Sequence, residues 1–324
     1  MPINRSKVIF IILVAVPVIM LMAYNSVSLS PFFFPFAYVV DNPRAINTPA
    51  TNVVLLTSFN NNSNDTIECV KANVYNMTFP LCLYSDDSDW PVSVWARKGK
   101  YFEAEEVTIF LPLFHSDHRL QFVDIGANLG VWSLPAARLT KVVSVEPNRL
   151  SMSRLAKAVK LGAVTDNITL INNGVSNVHS TLILRIHRNN QGHSFLIKTI
   201  KKYRGGSPYN TVWSINTILL NDLLPFMRLR AALMKVDTEG HEMHIFTNSS
   251  AGKFFDRIDV PVVFVEWFIL RRSKRNIVEP FLNFFYSRNY VVYNVGYTRL
   301  ARNYRRWPFN VLFVKSSFVY RFAN

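Results

Sequence analysis

Five short apolar runs rich in β-branched residues recur after residue 120: Gln121–Ile125, Val142–Val145, Ile168–Asn172, Leu233–Val236 and Val260–Val265. Runs of this kind are what strands buried on both faces of a parallel sheet require. Helical stretches separate them, such as "NRLSMSRLAKAVKL" after the second and "IVEPFLNFFYSRNY" after the fifth. Strands alternating with helices predict a doubly wound α/β sheet. "TLILRIHR", between the third and fourth runs, predicts an inserted hairpin arm, and "YVVYNV" and "NVLFVK" an antiparallel edge.

The N-terminal part has a different character. Arg5 and Lys7 precede an uncharged run from Val8 to Tyr24, and no further basic residue occurs until Arg44. That asymmetry predicts a cytosolic tail (1–7), a signal anchor (8–24) and a translocated body. A cleaved signal peptide is the alternative, but its apolar core is usually about 7–15 residues long and ends in a small-x-small site. Here the run ends "MLMAY". Residues 25–66, rich in Asn, Ser, Thr and Pro, read as a lumenal stem, 67–120 as an accessory segment, and 121–324 as the main domain. Beyond the expected anchor, five N-x-[ST] sequons occur, at Asn61, Asn64, Asn76, Asn167 and Asn248, and the first three cluster near the stem as glycosylation candidates. Cys69 and Cys82, the two cysteines, are expected to form a disulfide in an oxidising compartment, with two buried thiols as the alternative. Golgi or another secretory membrane is the expected location.

The net charge of +15 fits an acidic partner, a membrane surface or a basic solvated face. No zinc-finger spacing, helix-turn-helix pattern or aromatic signature accompanies it, so nucleic acid is not an expected partner. The basic runs "RRSKR" (271–275) and "RLARNYRR" (299–306) read as solvated faces, and "HSDH" (115–118) as a polar loop.

In a doubly wound sheet, ligands bind at the carboxyl ends of the strands. The stretch "VDIGANLG" ends a strand at Asp124 and turns through Gly126, Asn128 and Gly130. A dinucleotide turn would have glycine where Asn128 stands, so a pyrophosphate is a poor fit. Twenty residues past Gly126, "VVSVEPN" puts Glu146 at the next strand end, where an acid can accept both hydroxyls of a ribose. S-adenosylmethionine has matching parts: a ribose, an ammonium for Asp124, and a carboxylate for a helix N-terminus.

These motifs resemble the FkbM-type methyltransferases, a branch of the S-adenosylmethionine-dependent class. The resemblance includes "LINNGVSN" (170–177), "MKVDTEGHE" (234–242) and "FVEW" (264–267), and covers about 121–296. It implies a Rossmann-like sheet of the class I methyltransferase type, and a cofactor site of Asp124, Gly126, Asn128, Gly130, Glu146 and Asn173. The accessory segment is similar to that of animal, membrane-anchored members.

An alcohol acceptor needs a base or a metal to take its proton. "KVDTEGHE" gathers Lys235, Asp237, Glu239, His241 and Glu242 at a strand end on the same sheet edge. Asp237 and Glu239 are expected to share one face of an extended strand, for acceptor binding and base or metal work, with Asp237 the candidate metal ligand. His241 is the alternative base. Glu266 and Trp267 are candidates for holding a sugar acceptor, and a tryptophan at that place is equally a way to finish a core. A glycan hydroxyl is the expected acceptor; a lipid or small metabolite, or a non-catalytic interaction role, are the rivals.

Overall fold

The computed structural model describes residues 53–56, 67–85, 89, 91–198 and 209–319. The expected tail and anchor, nearly all of the stem, and the sequons at Asn61 and Asn64 lie outside the described residues. Among those described, no helix is long and apolar enough to cross a membrane.

The described chain opens with a hairpin, β1 (Cys69–Val74) and β2 (Met77–Cys82), then helices α1 (Val92–Arg97) and α2 (Ala104–Ser116). The alternating part runs β3 (Leu120–Ile125), α3 (Ser133–Ala136), β4 (Val142–Val145), α4 (Arg149–Leu161) and β5 (Ile168–Ile171). An arm follows: β6 (Gly174–Val175), β7 (Thr181–His187), β8 (Asn190–Ile197) and β9 (Tyr209–Ile218). The sheet resumes with β10 (Ala231–Val236), α5 (Glu242–Ile245), α6 (Ser249–Arg257), β11 (Asp259–Glu266), α7 (Arg275–Tyr286), β12 (Tyr290–Asn294) and β13 (Asn310–Lys315).

Seven strands form the main sheet, in the order β12-β13-β11-β10-β3-β4-β5. β10, β11, β3, β4 and β5 pair in parallel, and β13 runs antiparallel to both its neighbours. From β3 the chain first works outward through β4 and β5, then returns to β10 and works outward the other way. The order therefore reverses between β3 and β10, which opens a crevice at their carboxyl ends.

Alternation along each strand feeds two cores. On β3, Phe122 faces one layer and Val123 the other; on β4, Val142 and Val143 divide the same way. The Phe122 layer packs beneath α2, α4 and the β1–β2 hairpin, so the 67–120 segment shares the sheet's own core. Phe110 of α2 meets Phe122, Trp132 and Phe264 there, edge to face. α4 starts where the Asn148 side chain accepts the Leu150 N–H at 3.0 Å, and it buries Met152, Leu155, Ala156 and Val159 at helical spacing. Cys69 and Cys82 are cross-strand partners and are joined as a disulfide.

The arm is a four-stranded sheet, ordered β6-β9-β7-β8. β7 pairs antiparallel with both β8 and β9, as "TLILRIHR" led one to expect of an inserted hairpin.

Candidate active site

A cleft lies at the switch point. Its wall takes Ile125 and Gly126 from the end of β3, Val145 and Glu146 from β4, Asn173 to Val175, Asp237 to Glu239 after β10, and Glu266 from β11. Phe102 and Glu103 close it from the accessory segment, and Asn190 to Ser194 from β8.

Glu146 faces this cleft with its carboxylate fixed by backbone. Oε2 accepts the Asn128 N–H at 2.8 Å, and Oε1 the Asn148 N–H at 2.7 Å. Burial pushes its carboxyl up to about 7, with those two donors pulling the other way. A proton held there in the folded chain would leave in the unfolded one, so this group's contribution to stability falls as pH rises from 4.5 to about 7.

Asn128 lines the cleft in a left-handed conformation (φ 49°), and its side-chain oxygen accepts Ser151 Oγ at 3.2 Å. The neighbouring glycines serve packing. A Cβ on Gly126 would lie 1.7 Å from the Asp237 carbonyl oxygen, and one on Gly130 2.3 Å from Leu155 Cδ1. Gly126 thus makes room for the end of β10 rather than for a ligand.

Several expected cofactor contacts are redirected. Asp124 is wholly buried and off the cleft; Ser133 Oγ donates to it at 2.6 Å, and Lys235 Nζ lies 3.6 Å away. It ties β3 to α3 and β10 instead of meeting an ammonium. The helix after the turn, α3, has only four residues, too few to build the expected carboxylate site at its N-terminus. Asn173 touches the cleft, but its amide clamps backbone, accepting the Val54 N–H at 2.8 Å and donating to Asn216 O at 3.0 Å.

At the other end of the cleft the charges crowd. Lys235, buried, donates to Gly126 O at 2.7 Å and sits 3.3 Å from Asp237 Oδ2. Burial alone would lower its pKa, but Asp237, Asp124 and Glu103 outweigh that and hold it above its ordinary value. β10 ends at Val236, so Glu239 reaches the cleft through a left-handed turn (φ 54°) rather than by strand pleating. There its Oε2 pairs with His193 Nδ1 at 2.8 Å. That contact raises the His193 pKa, while burial raises that of Glu239. Burial, and Asp237 next, push Glu103 up to about 7; its Oε2 accepts the Trp132 indole N–H at 2.7 Å.

His241 and Trp267 are elsewhere. His241 lines a separate pocket with Ser176 and Lys198, its Nε2 lies 2.9 Å from Ser176 Oγ, and burial drops its pKa to about 3. Geometry therefore removes it as the base for this cleft. Trp267 is fully buried: its indole donates to Tyr304 O at 2.9 Å and its ring packs on Trp307 and Phe281. It finishes the core and cannot stack on a sugar. Glu266 does reach the cleft, and burial, then the charges of Asp237 and Glu239, push it to about 11. One oxygen each of Asp237, Glu242 and Glu266 lie within 4.8 Å of one another.

Sequence reading missed His193 and Glu103. Nothing local distinguishes Glu103 from Glu105 and Glu106 in "YFEAEEV", and His193 is delivered by an arm whose docking no motif encodes. Glu242 was recognised as part of the "KVDTEGHE" cluster but given no role of its own.

For the cofactor that the sequence implies, the residues fit at one end. Glu146 offers two oxygens to vicinal hydroxyls, beside the turn through Gly126 and Asn128. Glu146→Ala is expected to weaken S-adenosylmethionine binding about 10- to 100-fold, since a hydrogen bond to a charged group is worth roughly 1.5–3 kcal/mol. In the wild type, affinity should fall as pH drops below about 7, where the carboxylate takes up its proton. Calorimetry from pH 6 to 8 checks both; a flat profile with unchanged affinity in the variant would remove Glu146 from the site.

Comparison with known proteins follows the same line. No curated protein matches the chain. Among solved structures, the fold is similar to a precorrin-6y C5,15-methyltransferase from Geobacter metallireducens, at 13% identity over 64% of this chain and 87% of that one, with a TM-score of 0.32. It is also similar to a SAM-dependent O-methyltransferase from Thermotoga maritima, at 8% identity over 76% and 77%, with a TM-score of 0.35. A tRNA (uracil-54, C5)-methyltransferase from Pyrococcus abyssi, solved with S-adenosyl-L-homocysteine, is 8% identical over 61% of this chain and 34% of that one, with a TM-score of 0.32. Likenesses this distant carry no assignment. The family model for the methyltransferase FkbM domain does, because it matches residues 124–292, more than half of the chain. The chain belongs to the methyltransferase FkbM domain family, whose cofactor is S-adenosylmethionine.

Proposed function

We propose that this protein transfers the methyl group of S-adenosylmethionine to a hydroxyl of a glycan in the lumen of the secretory pathway, in the Golgi or a neighbouring membrane. The observation that carries the hydroxyl is the acidic end of the cleft, where Asp237 and the Glu239–His193 pair line one wall. An alcohol must lose a proton as it is methylated, and groups able to take one stand there; an amine or carboxylate acceptor would need less. The cofactor supplies an electrophilic methyl on a sulfonium. Glu146 binds the nucleoside end, Lys235 holds Asp237 in place from beneath, and Asp237 receives the acceptor's proton.

Lumenal placement is supported by the uncharged run Val8–Tyr24 behind Arg5 and Lys7, by the sequon cluster, and by the Cys69–Cys82 disulfide. Asn76 is exposed in the β1–β2 turn, open to glycosylation. Asn167 and Asn248 instead commit their amides to the Ala137 and Asn177 carbonyls. Protein made in secretory cells should therefore lose mass on N-glycan removal, with one glycan fewer in Asn76→Gln. An unchanged mass in the wild type would refute lumenal placement. A membrane partner is supported by the N-terminal run alone. The "RRSKR" segment is partly engaged in packing, with Arg271 over the Phe268 and Phe309 rings.

The test of the reaction is transfer of labelled methyl to a panel of glycans. Label should remain on the sugar after mild base, as an ether does. Label that mild base releases, or that enters only lipid or a small metabolite, would overturn the reading.

A further inference from the structure

The geometry points to a divalent-cation site on the floor of the cleft, held by Asp237, Glu242 and Glu266. The three carboxylates come from separate elements: Asp237 follows β10, Glu242 opens α5 and Glu266 ends β11. One oxygen of each lies within 4.8 Å of the others. A cation bound to oxygen at about 2.3–2.6 Å holds opposed ligands about 4.6–5.2 Å apart and adjacent ones closer, so oxygens within 4.8 Å of one another are within reach of one such ion.

A cluster of acids alone would not make a site. The second observation is what its buried oxygens do. Glu242 is fully buried, and its Oε1 accepts the Thr238 N–H at 2.7 Å, the Thr238 hydroxyl at 3.0 Å and the Gly240 N–H at 3.2 Å. Its other oxygen, Oε2, is buried with no hydrogen-bond partner among the described residues, and so is Oε2 of Glu266. Buried polar atoms are rarely left this way, and one explanation for an exception is an ion. Three donors fix one edge of Glu242 and leave the other edge free to ligate.

Chemistry narrows the occupant. Only carboxylate oxygens are offered, which favours a hard cation of the calcium, manganese or magnesium class over zinc or copper. Lys235 neutralises Asp237 at 3.3 Å and leaves two carboxylates for the ion to balance. Asp237 and Glu266 line the cleft and Glu242 does not, so the ion would meet solvent and acceptor on the cleft side only. Its use there, to polarise the acceptor hydroxyl, rests on the function proposed above; the binding itself does not.

The probe is Mn2+ added to the full-length, disulfide-bonded protein without cofactor or acceptor, with free ion read by electron paramagnetic resonance. One Mn2+ should bind per chain and raise the melting temperature. Glu242→Gln and Glu266→Gln should each weaken binding at least tenfold and lose the thermal gain, while Glu239→Gln keeps both. Melting in chelator checks that the variants fold; if Glu242→Gln does not, Glu266→Gln decides, since the oxygen it alters has no partner to lose. No uptake at millimolar Mn2+, or uptake that the decisive variants leave unchanged, overturns the site. Because nothing is methylated in this measurement, failure of the proposed reaction and failure of the ion site are read separately.

Discussion

Gly126→Ala is expected to destabilise the protein by about 2–5 kcal/mol, a large part of a typical total of about 5–15 kcal/mol. Two penalties add. Gly126 sits at φ +82°, and a side chain in the left-handed region costs roughly 1–2 kcal/mol. Its new Cβ would stand 1.7 Å from the Asp237 carbonyl oxygen, a backbone atom at the end of a central strand, and overpacking of that kind costs about 1–3 kcal/mol. Gly130→Ala is the comparison. Its Cβ meets the tip of Leu155, which can turn aside, so its loss should be smaller although its φ is similar, at +86°. Chemical denaturation of both variants tests the order. A Gly126→Ala protein as stable as wild type would mean that the turn and β10 do not approach as described.

Asp237→Asn should keep the fold and the cofactor affinity and lose about 10²–10⁴-fold in turnover, the usual cost of removing a general base. The amide is the same shape but cannot take the acceptor's proton, and Lys235 loses its closest carboxylate. His241→Ala is the control, since its imidazole opens into the other pocket. Its turnover per folded molecule should stay near wild type. Full activity in Asp237→Asn would move the chemistry to the Glu239–His193 pair. An equal loss in cofactor affinity would instead make Asp237 a binding residue.

The sheet was readable because a strand buried on both faces needs unbroken apolar side chains, and β3, β4 and β10 are written that way. Glu146 was readable for a related reason: an acid that ends such a run has only the strand's carboxyl edge to go to. Of the two readings open for Trp267, the core one holds although its neighbour Glu266 truly reaches the cleft, because consecutive residues of an extended chain point to opposite faces. What buries the indole is Trp307 and Phe281, from segments no local pattern connects to it. His241 failed as a base, since the tight turn through Gly240 (φ +97°) rotates it away from Asp237. Asp124 occupies a motif position but faces Lys235 beneath the sheet edge, and only the register of β3 against β10 reveals that.

The arm between β5 and β10 leaves the strand order of the main sheet intact while lending Asn190 to Ser194 to the cleft. The hairpin is tied to both ends of that cleft. His193 pairs with Glu239 on the acidic side, while Gln191 Oε1 accepts the Asn148 amide at 3.4 Å, next to the backbone that fixes Glu146. A change in this peripheral element would therefore be felt at both ends of the cleft at once, whereas the strand order beneath it would stay the same.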